Sequence, residues 1–147
     1  MMTAELLVRY FHFVSILATV GTLTAEWLLT GQSQTRGELA RLARIDIAYG
    51  IASLSLVAAG LTLWLGGIGK PAEFYSGNPV FLAKVGLVVA VGLLSLPPTF
   101  FFIRERKGEA SETVQIPAYV RRCIRAELVA MVFIPLLAVL MARGIGY

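Results

Sequence analysis

From residue 79 to residue 103 the chain reads Pro79-Val-Phe-Leu-Ala-Lys84-Val-Gly-Leu-Val-Val-Ala-Val-Gly-Leu-Leu-Ser95-Leu-Pro97-Pro98-Thr99-Phe-Phe-Phe-Ile103, with Lys84 its one ionisable residue. At 1.5 Å per residue a helix of this length crosses the roughly 30 Å hydrocarbon core of a bilayer. Asn78 is placed to cap it and Pro79 suits its first turn. Strands are not expected inside such a segment, because an open sheet edge cannot face lipid. Pro97-Pro98 is expected to kink the span near its end, and Pro135 to kink the fourth.

Three more runs of the same kind flank it: about 4–29, 45–65 and 124–142. Composition agrees. Apolar residues make up 57% of the 147, charged residues 15%, and mean hydropathy is +0.76. A soluble domain of this size carries about 25% charged residues and has too much surface to hide the apolar excess. The sequence therefore predicts an all-α, integral membrane four-helix bundle, one transmembrane domain over 1–147. The first run reads as a retained helix rather than a signal peptide: it is long, lacks a cationic lead and has Arg9 within it.

The connections are short. Gly66-Gly67-Ile68-Gly69-Lys70-Pro71 stops the second span. The stretch Glu38-Leu39-Ala40-Arg41-Leu42-Ala43-Arg44 has helical spacing and can continue into it. Arg36, Arg41, Arg44, Arg104, Arg106, Lys107, Arg121 and Arg122 fall in the first and third connections, against Lys70 and Arg143 opposite. By the positive-inside rule the basic side is cytoplasmic. The expected location is a bacterial cytoplasmic (inner) membrane, with both termini periplasmic. Trp64, Tyr75 and Tyr119 suit interfacial belts. Nothing in the chain has the spacing of a nucleic-acid-binding motif, so nucleic acid is not an expected partner. Cys123 is the sole cysteine; its arginine neighbours favour thiolate character, but a packed filler residue is the simpler reading.

A charge at membrane depth costs about 2.5–3.5 kcal/mol on insertion scales, so ionisable residues there mark function. They fall into two layers. Arg9, His12 and Lys84 lie in the outer half; Glu26, Asp46 and Glu127 lie near the inner face. At 100° per residue His12, Ser15, Thr19 and Glu26 form one stripe on span one. Comparable stripes are Asp46, Gly50, Ser53, Val57 and Gly60 on span two, then Lys84, Val88, Val91, Ser95 and Pro98 on span three. Span four offers Glu127, Met131, Pro135, Ala138 and Met141. The plain reading of the inner layer is ion pairing with Arg44, Arg122 and Arg125, with Asp46 and Glu127 in first turns favoured by the helix dipole. The sharper reading is a proton or cation site built from Glu26, Asp46 and Glu127.

His12 is the only histidine, so a bis-histidine haem within the chain is excluded. A haem b held by His12 and a thioether, with Met141 at suitable depth, is the redox alternative. Arg9 and Lys84 would then pair with propionates. The plain reading is a packed histidine. No dinucleotide fingerprint, P-loop or nucleophile elbow is present. No metal beyond haem iron is expected.

Val8-Arg9-Tyr10-Phe11-His12-Phe13, Phe74-Tyr75-Ser76-Gly77-Asn78-Pro79-Val80-Phe81-Leu82-Ala83-Lys84 and Ser95-Leu96-Pro97-Pro98-Thr99 carry a resemblance. With Arg125-Ala126-Glu127-Leu128 and the ending Met141-Ala142-Arg143-Gly144-Ile145-Gly146, they resemble a bacterial membrane family, domain of unknown function 2214, over nearly the whole chain. That resemblance implies a membrane class and no chemistry. A weaker similarity is to the HemJ-like four-helix membrane proteins that bind haem b. His12, Lys84, Arg41 and Arg44 match their pattern, while Leu82 stands where they have a histidine. The expected function is a non-enzymatic membrane component, such as a small subunit beside a membrane partner or a second copy. A haem-b redox protein and a small proton or ion carrier are the alternatives.

Overall fold

The computed structural model describes residues 2–146. Four long helices dominate it: α1 (Met2–Leu29), α2 (Arg36–Leu65), α4 (Pro79–Glu105) and α5 (Ala118–Ala142), all apolar and long enough to cross a membrane. A five-residue helix, α3 (Ala72–Ser76), fills the connection from α2 to α4. Two three-residue strands, β1 (Ser33–Thr35) and β2 (Thr113–Gln115), lie in the first and third connections.

Local chemistry explains the boundaries. α2 begins at Arg36, nine residues before the expected span, because Thr35 and Glu38 form a reciprocal capping box. The Glu38 N–H donates to Thr35 Oγ1 at 3.2 Å and the Thr35 N–H to Glu38 Oε2 at 3.1 Å. α2 ends at Gly66-Gly67, where Gly67 takes φ +65. Asn78 caps α4 as expected, its Oδ1 accepting from the Val80 and Phe81 N–H groups at 2.8 and 3.4 Å. Pro97 and Pro98 both lie inside α4.

β1 and β2 pair antiparallel, with Gln34 opposite Val114. The sequence gives no strand signal at these positions. The pair forms outside the long helices, where water can satisfy its edges. It fastens the first connection to the third, so both lie at one end of the molecule, here termed the sheet end. Arg36 reinforces the join. Its Nη1 donates to the Glu105 carbonyl at 2.7 Å and its Nε to Glu112 Oε2 at 2.8 Å. Gly108, at φ +124, admits that guanidinium: a Cβ there would fall 2.8 Å from Arg36 Cδ.

The long helices make two hairpins, α1 with α2 and α4 with α5, each closely packed. Sparser contacts of α2 with α4 and of α1 with α5 close the ring. The core gathers at the sheet end, where Leu23, Leu39, Leu42, Phe102, Val120 and Ile124 are buried. Large apolar side chains elsewhere, Leu17, Leu54, Phe100 and Val132 among them, are exposed. They face the solvent that suits them, lipid.

Candidate functional site

All four long helices contribute to one buried polar group near the sheet end. Ser15, Thr19, Leu23 and Glu26 are the buried residues of α1. This is the stripe read from the sequence, with His12 half-buried at its outer limit. On α2 the buried line runs through Leu42, Asp46, Tyr49, Ala52 and Ala59. Val57, placed on that face by the sequence, is exposed. On α5 Glu127 is buried and Pro135 is exposed.

The expectation that Asp46 and Glu127 sit in first turns is corrected. They stand about 14–15 Å along α2 and α5 from the first residues, at 1.5 Å per residue. The first turns of both helices overhang the end of α1, and the helix dipole gives the two carboxyls little. The ion-pairing expectation is corrected too. Among the described residues the salt bridges are Arg9–Glu5, Arg36–Glu105, Arg36–Glu112 and Arg104–Glu105. Glu26, Asp46 and Glu127 are in none of them.

Glu26 and Glu127 are each 1% exposed and Asp46 is 5% exposed. Tyr49, also buried, donates its hydroxyl to Glu127 Oε1 at 2.8 Å. Asp46 lies within reach of Thr99 on α4 and of Glu26. Both Glu26 carboxyl oxygens are buried with no hydrogen-bond partner. The backbone around it is fully used, since the Glu26 carbonyl accepts both the N–H and the hydroxyl of Thr30. Three carboxyls in this space, with no cation beside them, strongly disfavour the fully charged state. Tyr49 and Thr99 were not singled out by the sequence reading. Tyr49 follows Asp46 by three residues and so shares its helix face, which is the signal that was available.

The outer layer is organised differently. Arg9 is held by Glu5, Nη2 to Oε1 at 2.7 Å. His12 packs against α2, where a Cβ on Gly60 would meet its Cε1 at 3.4 Å. Its Nδ1 is buried without a partner. Arg9 and Lys84 are near enough to act on it electrostatically. The Lys84 ammonium lies 5.1 Å from the Phe81 ring centre. Met141 is placed in the last helical turn of α5, its carbonyl accepting the Gly144 N–H. Trp64, Tyr75 and Phe81 form a ring cluster around this end of α4, with Trp64 to Phe81 at 4.9 Å.

The model of one protein family, described as predicted membrane protein (DUF2214), matches residues 4–146. No curated protein and no solved structure matches the chain, so the weaker HemJ-like similarity has no counterpart in these comparisons.

Proposed function

The chain belongs to the DUF2214 family of predicted membrane proteins, and from that premise we propose that it is a non-enzymatic multi-pass component whose buried carboxyl cluster binds and passes protons. The observation that carries this is Glu26, whose two oxygens are buried with no cation and with only another carboxyl, that of Asp46, in reach. A carboxylate so placed is costly, and a neutral carboxyl is far less so. Asp46 and Glu127 supply neighbouring acceptors, and the Tyr49 hydroxyl, fixed on Glu127, extends the line. Protons are favoured over metal cations because, among the described residues, no three His, Cys, Asp or Glu side chains are arranged to hold a metal.

The membrane is taken to be the bacterial cytoplasmic membrane, with the arginine-rich sheet end cytoplasmic and both termini periplasmic. Probing single cysteines placed at Gln34 and Lys70 with an impermeant thiol reagent checks this: only the Lys70 position should react in intact cells. The chain is taken to work beside a membrane partner or a second copy, which a mild-detergent pull-down detects.

The proton reading has its own test. In liposomes carrying a pH gradient, the wild-type chain should dissipate the gradient, and Glu26→Gln and Glu127→Gln should slow it severalfold. An infrared carboxylic-acid band at neutral pH should weaken in Glu26→Gln. No flux and no such band in wild type would sink the reading.

One observation favours a second reading, haem b on His12: its Nδ1 is buried and unpartnered, with the cations Arg9 and Lys84 near enough to act on the ring. Haem there would supply one-electron chemistry. A Soret band lost in His12→Ala supports it, and no band in protein made with haem available removes it.

A further inference from the structure

A second polar feature lies at the sheet end, apart from the carboxyls. A cleft of about 200 Å³ is lined by Trp27 of α1 and by Ala118, Arg121, Arg122 and Arg125 of α5. We propose that this cleft binds a phosphate group, that of an anionic phospholipid.

Four observations point to an anion. Three arginines line one cleft, and among the described residues no acidic side chain lines it. None of the three is in a salt bridge among the described residues. Arg121 Nε is buried and has no hydrogen-bond partner, a donor left without an acceptor. Last, α5 starts after Pro117 with no side-chain cap, and Ala118 at that start lines the cleft. Uncapped N–H groups and planar guanidinium forks are the donors that a phosphate's oxygens accept.

The position selects a lipid over a soluble phosphate. Trp27 is in the last turn of α1 and the arginines in the first turns of α5, so the cleft opens where the long helices leave the hydrocarbon. Toward the bilayer from the cleft, on the same helix faces, the surface is apolar and exposed: Val20 of α1 and Val129 and Val132 of α5. A headgroup in the cleft lets its acyl chains run down that surface. Basic pockets between transmembrane helices hold anionic headgroups in this way.

Native mass spectrometry of the full chain, equilibrated with equal phosphatidylcholine and phosphatidylglycerol, tests the assignment. Wild type should retain the anionic lipid preferentially. Arg122→Gln, an exposed position whose loss leaves the fold intact, should cut that preference about fivefold, the loss expected for one arginine at an anionic surface. Arg41→Gln, an exposed arginine of the same end outside the cleft, should leave it unchanged. Equal retention of the two lipids overturns the proposal, as does an equal loss in Arg41→Gln. Displacement of the bound lipid by millimolar inorganic phosphate would assign the site to soluble phosphate and overturn the lipid assignment.

Discussion

At Glu26 the protein keeps a polar group that packing alone does not call for. Replacing it with an apolar residue of similar length should therefore stabilise the fold: Glu26→Met is expected to gain about 1–3 kcal/mol, the range for relieving an unsatisfied buried polar group. Thermal unfolding in detergent reads this out, and a loss of stability would mark Glu26 as structural. Tyr49→Phe should do the reverse. It leaves Glu127 Oε1 without its donor at a cost of about 1–3 kcal/mol. At this scale the sequence was informative where a helix face is marked by polar residues, as with Ser15, Thr19 and Glu26 in an apolar run. It was silent on Thr99, which looks like any hydroxyl beside a proline pair. It misplaced Asp46 because the span was taken to start at 45, although the helical stretch 38–44 can continue into it and does, from Arg36.

Among the elements, the long helices were legible because twenty apolar residues in succession have one solution in lipid. Their caps were legible in part. Asn78-Pro79 was read correctly, while Thr35-x-x-Glu38 carried the same kind of signal and went unread. Asn78→Ala should cost about 1 kcal/mol for the lost cap, seen as a lower unfolding temperature. Two phenylalanines of α4 separate its faces. Phe102 is fully buried and Phe100 is 64% exposed. Phe102→Ala should cost about 3–5 kcal/mol, and Phe100→Ala should cost far less. The strands were not legible, since three residues have no measurable period, and their pairing depends on a residue 76 positions away from Arg36, Glu112. The Arg36 guanidinium holds the Glu112 carboxyl below the usual carboxylate range, mainly through their hydrogen bonds. Because the folded value is the depressed one, this contribution is present above about pH 4.3, the ordinary glutamate value, and is lost as pH falls through the folded value. Amide protection at Arg36 and Gly37, whose N–H groups donate to the Glu112 and Ala110 carbonyls, should fall over that window once rates are corrected for the intrinsic pH dependence of exchange.

For the molecule as a whole, the number of spans and the crowding of arginines at one end were readable from the chain. The order of helices around the ring was not, because every neighbour presents similar aliphatic residues and lipid favours none of them. The close pairing within each hairpin and the thinner contact between hairpins emerge only from the structure. Joint substitution Gln34→Cys and Val114→Cys should give a disulfide under mild oxidation, since these residues face each other across β1 and β2. A protein that stays uncrosslinked would place the two connections apart. The strand pair also sets where the bundle can move. The hairpins are clasped at both extremities: by the strand pair at one, and at the other by the connection through α3, where Trp64 of α2 packs on Phe81 of α4 at 4.9 Å. A bundle fastened at its two ends resists scissoring, so what motion remains is bowing of the helices between the clasps. Glu26, Asp46 and Glu127, close to one clasp, keep their spacing.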